Sequence, residues 1–186
     1  LDYDLRELVS FTGKARAAGK KPSTRVLEFR TVSAAQAPRR LRTLLGEGDH
    51  GRLHFMERLR LADGRPVILE RRWVAAARCP DLTRADAAGS LYAYWTDRCG
   101  LRIAGAAQTI RAVVLGTADA RRLDSSRAAA ALQVVAVGHL EGGAPLWWER
   151  TLYRGDRYAF NSTLGPVQTR RPASGVFVGP DLEEDR

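Results

Sequence analysis

Apolar and polar positions alternate most regularly over residues 53–61 and 66–74. A period of two predicts strands at Leu53–Leu61 and Pro66–Val74, with Ala62-Asp63-Gly64 as the turn of a hairpin. Leu132–Leu140 and Pro145–Tyr153 bracket Glu141-Gly142-Gly143-Ala144 in the same way and predict a second hairpin. Val26–Val32 and Leu101–Leu115 are further strand-like stretches, and Phe160–Leu164 closes the core. Helical spacing appears in three places. Ala34–Leu45 follows a Ser33 cap, carries Leu41, Leu44 and Leu45 on one stripe and stops at Gly46, with Pro38 tolerated in its first turns. A second helix opens at Asp86 or Ser90 and runs to Arg98, with Leu91, Tyr92, Trp95 and Cys99 as its stripe and Gly100 as its end. Thr117–Leu123 is a short capped helix. Hairpins separated by helices predict an α+β domain built on an antiparallel sheet. Residues 1–24 read as a lead-in, broken by Gly13, Gly19 and Pro22, residues 25–164 as the domain, and residues 165–186 as a flexible tail.

At 186 residues and 45% hydrophobic content, one domain with a real core is expected. No apolar run approaches the ~18 residues of a membrane span. Two cysteines without metal-ligand spacing point to a reducing cytoplasm, and no zinc-protease, phosphate-loop or nucleophile-elbow motif occurs. The chain opens on Leu1 without a methionine, which suggests a piece of a longer protein. The net charge of +9 invites a nucleic-acid reading. However, arginine supplies 27 of the 30 basic residues and is interleaved with acids along the chain, so the charge forms no recognition motif.

The first hairpin carries the candidate chemistry. A three-residue loop with Gly64 in the left-handed position would place His54, Met56, Arg58, Arg60, Ile68, Glu70 and Arg72 on one face. The other face would hold Leu53, Phe55, Leu59, Leu61, Val67, Leu69 and Trp73, with Glu57 and Arg71 as exceptions. A two-residue loop would scatter the charged set. Two arginines on one face suit a phosphate or carboxylate, and Glu70 beside them could accept hydrogen bonds from a ligand. The plainer alternative is a solvated face with cross-strand ion pairs. On the second hairpin, alternation puts Trp147, Glu149, Thr151 and Tyr153 on one face and Trp148, Arg150 and Leu152 on the other. No catalytic constellation, metal cluster or cofactor motif emerges, because a carboxylate beside arginines is a poor base.

Five segments in order then resemble one family: Glu57-Arg58-Leu59-Arg60-Leu61-Ala62-Asp63-Gly64-Arg65-Pro66, Gly89-Ser90-Leu91-Tyr92, Gly100-Leu101-Arg102-Ile103, Gln108-Thr109-Ile110 and Tyr153-Arg154-Gly155-Asp156-Arg157-Tyr158-Ala159-Phe160. The chain resembles the UTRA effector-binding domain of GntR-superfamily transcription regulators, in the HutC-like branch, over about residues 3–164. The resemblance implies a chorismate-lyase-like antiparallel sheet flanked by helices. It further implies a homodimeric, non-enzymatic sensor of a small anionic metabolite, such as a repressor's. Operator DNA would be bound through an N-terminal winged helix-turn-helix absent from this chain. It assigns ligand contacts to Arg58, Arg60, Glu70, Ser90, Tyr92 and Tyr153, with Phe11 and Thr12 closing over the ligand. Relatives resembling amino-sugar-phosphate sensors carry an acid where this chain has Trp147. A tryptophan there cannot accept a sugar hydroxyl and would shrink or cover the cavity, which leaves a flatter or more apolar anion open as the ligand. Two rivals stand beside this reading: a carbon–oxygen lyase on the same fold, and a stand-alone basic nucleic-acid binder.

Overall fold

The computed structural model describes residues 2–4, 11–48 and 50–161, so the expected tail and the end of the segment 160–164 lie outside the described residues. The chain begins with β1 (Asp2–Asp4) and α1 (Phe11–Ala17). β2 (Pro22–Ser33), α2 (Arg39–Leu44), β3 (Arg52–Ala62) and β4 (Arg65–Ala75) follow. Next come α3 (Arg84–Ala87), α4 (Leu91–Ala93) with a π-helical turn over Tyr94–Arg98, β5 (Ile103–Val114) and α5 (Thr117–Arg122). β6 (Ala130–Leu140), β7 (Pro145–Arg154) and β8 (Ala159–Asn161) complete it. Six strands form one antiparallel sheet in the order β2-β3-β4-β7-β6-β5, and β1 pairs in parallel with β8 as a separate ladder. The two hairpins therefore meet through β4 and β7, which places the charged strands at the centre of the sheet. The α+β class read from the pattern is the architecture observed.

Two local expectations change. The first hairpin has a two-residue turn: Asp63 and Gly64 both take positive φ, 52° and 76°, as a type I′ turn requires. Such a turn alone would have put Arg58 and Glu70 on opposite faces. A β-bulge corrects this, because Leu61 pairs with Pro66 and Arg60 with Ile68, leaving Val67 as the extra residue. Arg58 then lies opposite Glu70 and Met56 opposite Arg72, so the expected charged face is kept although the expected register is not. The predicted helix over residues 34–45 is interrupted. A 3₁₀ turn spans Ala34–Gln36, Ala37 is extended, and α2 starts only after Pro38, because a proline drives the residue before it out of the helical region. In the lead-in, the only helix among the described residues is the short α1, which Gly19 ends at φ 67°.

Both faces of the sheet are covered. On one, α2 packs against Leu53, Val137 and Trp148, and Ala120 and Leu123, in and just after α5, pack against Leu59, Leu69 and Leu152. The two charged exceptions on this face anchor α5: Arg71 Nε donates to Glu57 Oε2 at 2.7 Å and Arg71 Nη2 to Asp119 Oδ1 at 2.6 Å, while Arg122 Nε lies 3.1 Å from Glu57 Oε1. On the other face, the helical segment 84–98 covers the charged rows. Its Leu91, Tyr94 and Trp95 join Met56, Val74, Leu146 and Trp147 in the largest core cluster.

His54 belongs to that covered face and is buried. Its Nε2 donates to the Cys79 carbonyl at 3.0 Å, which leaves Nδ1 to accept from the Thr31 hydroxyl at 2.8 Å. This arrangement holds the neutral ring, and burial lowers its pKa from 6.5. A depressed folded pKa means that stability is full above pH 6.5 and declines as pH falls through the folded value. Chemical denaturation at pH 7 and pH 5 is expected to show that decline, and His54→Gln is expected to flatten it. Equal slopes for both proteins would refute the assignment.

Candidate functional site

Three neighbouring strands lay out the site as a lattice of four rows. Arg60, Ile68 and Tyr153 form one row, and Arg58, Glu70 and Thr151 the next. Met56, Arg72 and Glu149 form the third, and His54, Val74 and Trp147 the fourth. Strand alternation aims all of these side chains at the covered face. The solvated-face alternative is overturned: Arg58, Arg60, Glu70 and Arg72 are only 2%, 4%, 6% and 4% exposed.

Burial forces pairing. Arg58 is fully engaged: its Nε and Nη2 donate to Glu70 Oε1 at 3.2 and 2.5 Å, and Nη1 donates to the Ala87 carbonyl at 2.9 Å. Arg72 Nη2 donates to Glu149, and its Nε lies 3.1 Å from Glu70 Oε1. The Arg72 guanidinium also sits 5.4 Å from the ring centres of both Trp95 and Trp147. Burial alone would raise the Glu70 pKa, but Arg58, Arg72 and Arg60 together hold it down to about 2. Burial pushes Glu149 the other way, above the ordinary carboxyl value, against the pull of Arg72.

Arg60 differs from Arg58 and Arg72 in having no carboxylate within ion-pair distance among the described residues, although Arg72 Nε and Nη1 are likewise buried without a hydrogen bond. Arg60 Nε and Nη1 are buried without a hydrogen-bond partner among the described residues, and the Arg60 guanidinium carbon lies 5.0 Å from the Phe11 ring centre. Burial first, then repulsion from Arg58, lowers its pKa to about 10, so it stays charged at neutral pH. Thr151 Oγ1 is likewise buried and unpartnered. Three arginines face two carboxylates here, and the surplus positive charge belongs to Arg60.

These groups surround a cavity of about 60 Å³. Seven of the nine sequence-predicted residues line it: Phe11, Arg58, Arg60, Glu70, Ser90, Tyr92 and Tyr153. Ser90 is held there as the cap of α4, accepting from the Ala93 amide at 3.3 Å. Thr12 follows Phe11 on α1 and does not line the cavity. Neither does Trp147: it is fully buried and stacks on Trp95 at 4.9 Å and 22°, with Tyr92 edge-on to both. Arg72, which the hairpin pattern placed on the charged face, lines the cavity too, as do Glu149, Thr151 and Tyr158, which were not assigned to the site. For Glu149 and Thr151 the signal was present, since alternation placed them on the face of Trp147 and Tyr153. The hairpin thus still offers an acid to the cavity, two residues beyond the tryptophan.

The fold is that of effector domains from transcription regulators. The fold matches the effector domain of PhnF from Mycobacterium smegmatis, with TM-score 0.78 and 23% identity over 89% of this chain and 100% of that one. It also matches a GntR-family transcriptional regulator from Enterococcus faecalis V583, with TM-score 0.68 and 27% identity over 75% of this chain and 98% of that one. The chain belongs to the UTRA domain family, whose model matches residues 17–159. Among curated proteins, it is 24% identical over 160 residues to the HTH-type transcriptional repressor NagR of Bacillus subtilis (strain 168). That match covers 86% of this chain and 65% of NagR, so the chain spans about two thirds of that relative's length.

Proposed function

We propose that this UTRA domain is the sensing and dimerisation part of a cytoplasmic transcription regulator. It binds a small anionic metabolite on Arg60, and operator DNA is bound by a helix-turn-helix module outside this chain. The observation that carries the reading is the unpaired Arg60. A buried cation with unused donors is costly unless an anion neutralises it, and the cavity lets one reach it. Arg58 and Glu70 serve chiefly to hold the lattice, while Thr151 and Ser90 stand beside the anion as hydroxyl partners. Phe11 gives the site a route outward. An anion on Arg60 meets the ring that now covers it, and Phe11 lies on α1, next in order to β1 at the start of the chain. Occupancy would shift the balance between arrangements of that lead-in and so alter operator affinity. The pinned, strongly acidic Glu70 speaks against acid–base turnover and for a binding role.

Arg60→Gln is expected to weaken anion binding by about tenfold to a hundredfold, the worth of one charge-assisted hydrogen bond of roughly 1.5–3 kcal/mol. The fold should remain, because Arg60 has no ion-pair partner to orphan. Calorimetric titration with inorganic phosphate on wild type and variant checks this, and equal affinities would remove Arg60 from the site.

A further inference from the structure

Resting on the anion-site reading above, we infer that Glu149, together with Glu70, forms an acceptor subsite beside Arg60, so that the ligand is an anion that also carries a neutral hydrogen-bond donor, a hydroxyl. Each carboxylate commits one oxygen to the lattice. Glu70 Oε1 accepts from Arg58 and lies 3.1 Å from Arg72 Nε, and Glu149 Oε2 accepts from Arg72 Nη2. The second oxygen of each receives no hydrogen bond from the described residues, and both side chains line the cavity. An ionised carboxylate has room for about four hydrogen bonds, so both acceptors are under-used. Burial raises the Glu149 pKa in spite of Arg72, as expected of a carboxylate short of donors. A ligand entering the cavity displaces water from these oxygens and gains affinity only if it replaces the bonds it removes.

Charge decides which kind of donor fits. Arg58 and Arg72 balance Glu70 and Glu149 among themselves. An ammonium group there would add an uncompensated cation to a buried, balanced set, whereas a hydroxyl adds none. A hydroxyl also accepts, which an ammonium cannot, and Arg72 Nη1 and the Thr151 hydroxyl are buried on the same face without a partner. The lattice sets where the donor lies. Glu70 stands one row and one strand from Arg60, and Glu149 two rows and two strands, about 8 and 16 Å between α-carbons. Glu149 is in turn one row from Trp147. The anionic group therefore sits at the Phe11 end, and the hydroxyl end points toward the stacked Trp95 and Trp147.

The test is a calorimetric titration of the chain with three phosphate monoesters on one three-carbon frame: propyl phosphate, glycerol 3-phosphate and 3-aminopropyl phosphate. Wild type, Arg60→Gln and Glu149→Gln are compared. Glycerol 3-phosphate is expected to bind wild type at least about tenfold more tightly than either of the others. Glu149→Gln keeps a carbonyl oxygen for Arg72 but removes the charged acceptor, and is expected to cut that preference to about threefold or less while leaving propyl phosphate unchanged. Arg60→Gln is expected to weaken all three esters alike. The ranking of the three on wild type tests the inference even where Glu149→Gln does not fold. Propyl phosphate binding as tightly as glycerol 3-phosphate, or the aminopropyl ester binding tightest, in an Arg60-dependent way, would overturn the hydroxyl subsite and leave the anion site standing. A preference that Glu149→Gln leaves whole would do the same. Binding that ignores Arg60, or no binding by any ester at millimolar concentrations, would overturn both.

Discussion

Glu70→Ala is expected to cost about 3–5 kcal/mol, the usual effect of breaking a buried ion pair from one side, and so to lower the melting temperature by roughly 6–20 °C. Glu70 is the hub of the lattice: Arg58 donates to it twice and Arg72 lies 3.1 Å away. Without it, three buried arginines converge with only Glu149 to oppose them. The contrast is Arg60→Met, which removes a buried charge that has no ion-pair partner. That variant should melt close to wild type or above it, although Arg60 and Glu70 are almost equally buried. A Glu70→Ala protein melting within about 2 °C of wild type would show that the pair is not desolvated as described. Acid titration offers a second view. With its folded pKa near 2 against 4.5 for the free group, Glu70 contributes its full stability above pH 4.5 and loses it only as pH falls toward 2.

The other large effect is expected at Gly138. A methyl group there would fall inside the Trp147 indole, so Gly138→Ala must push Trp147 off its stack with Trp95. Overpacking of this kind costs about 1–3 kcal/mol, and losing the aromatic stack adds about 0.5–1.5 kcal/mol. Urea denaturation should give the sum. Near-ultraviolet circular dichroism should show the loss of the coupled-indole signal. Pairing Gly138→Ala with Trp147→Leu supplies the room that the methyl group needs. The double variant should be more stable than the two single losses added together, because the residues share one space. Strict additivity would place the clash elsewhere.

The sheet was legible because alternation is a local property. Residues 53–61 and 145–153 announced their two faces without reference to anything distant. The burial of the charged face was not legible, because alternating arginine and glutamate reads as a wet surface. Its cover comes from Phe11, Ser90, Leu91, Tyr92 and Tyr158, which no short window joins to the hairpin. Pro38 misled in a simpler way: its missing amide is harmless at a helix start, but its ring acts on Ala37 and starts the helix later. At Glu149 the alternation was correct and the resemblance drew attention to Trp147, two residues away. The unpaired Arg60 shows only when the ion pairs of Arg58 and Arg72 are known, and pairing is a property of the folded lattice.

The Val67 bulge bears on how this hairpin tolerates changes of length. Pro66 and Ile68 keep partners on β3 while Val67 has none, so removing Val67 would leave a regular ladder with the same pairs from Arg65 to Ala75. Loss or gain of one residue between Ile68 and Glu70 would invert every side chain beyond it and separate Arg58 from Glu70. Alignment gaps among relatives that keep the same lattice therefore belong at the foot of the turn. Divergence within the arms of the hairpin is confined to substitution.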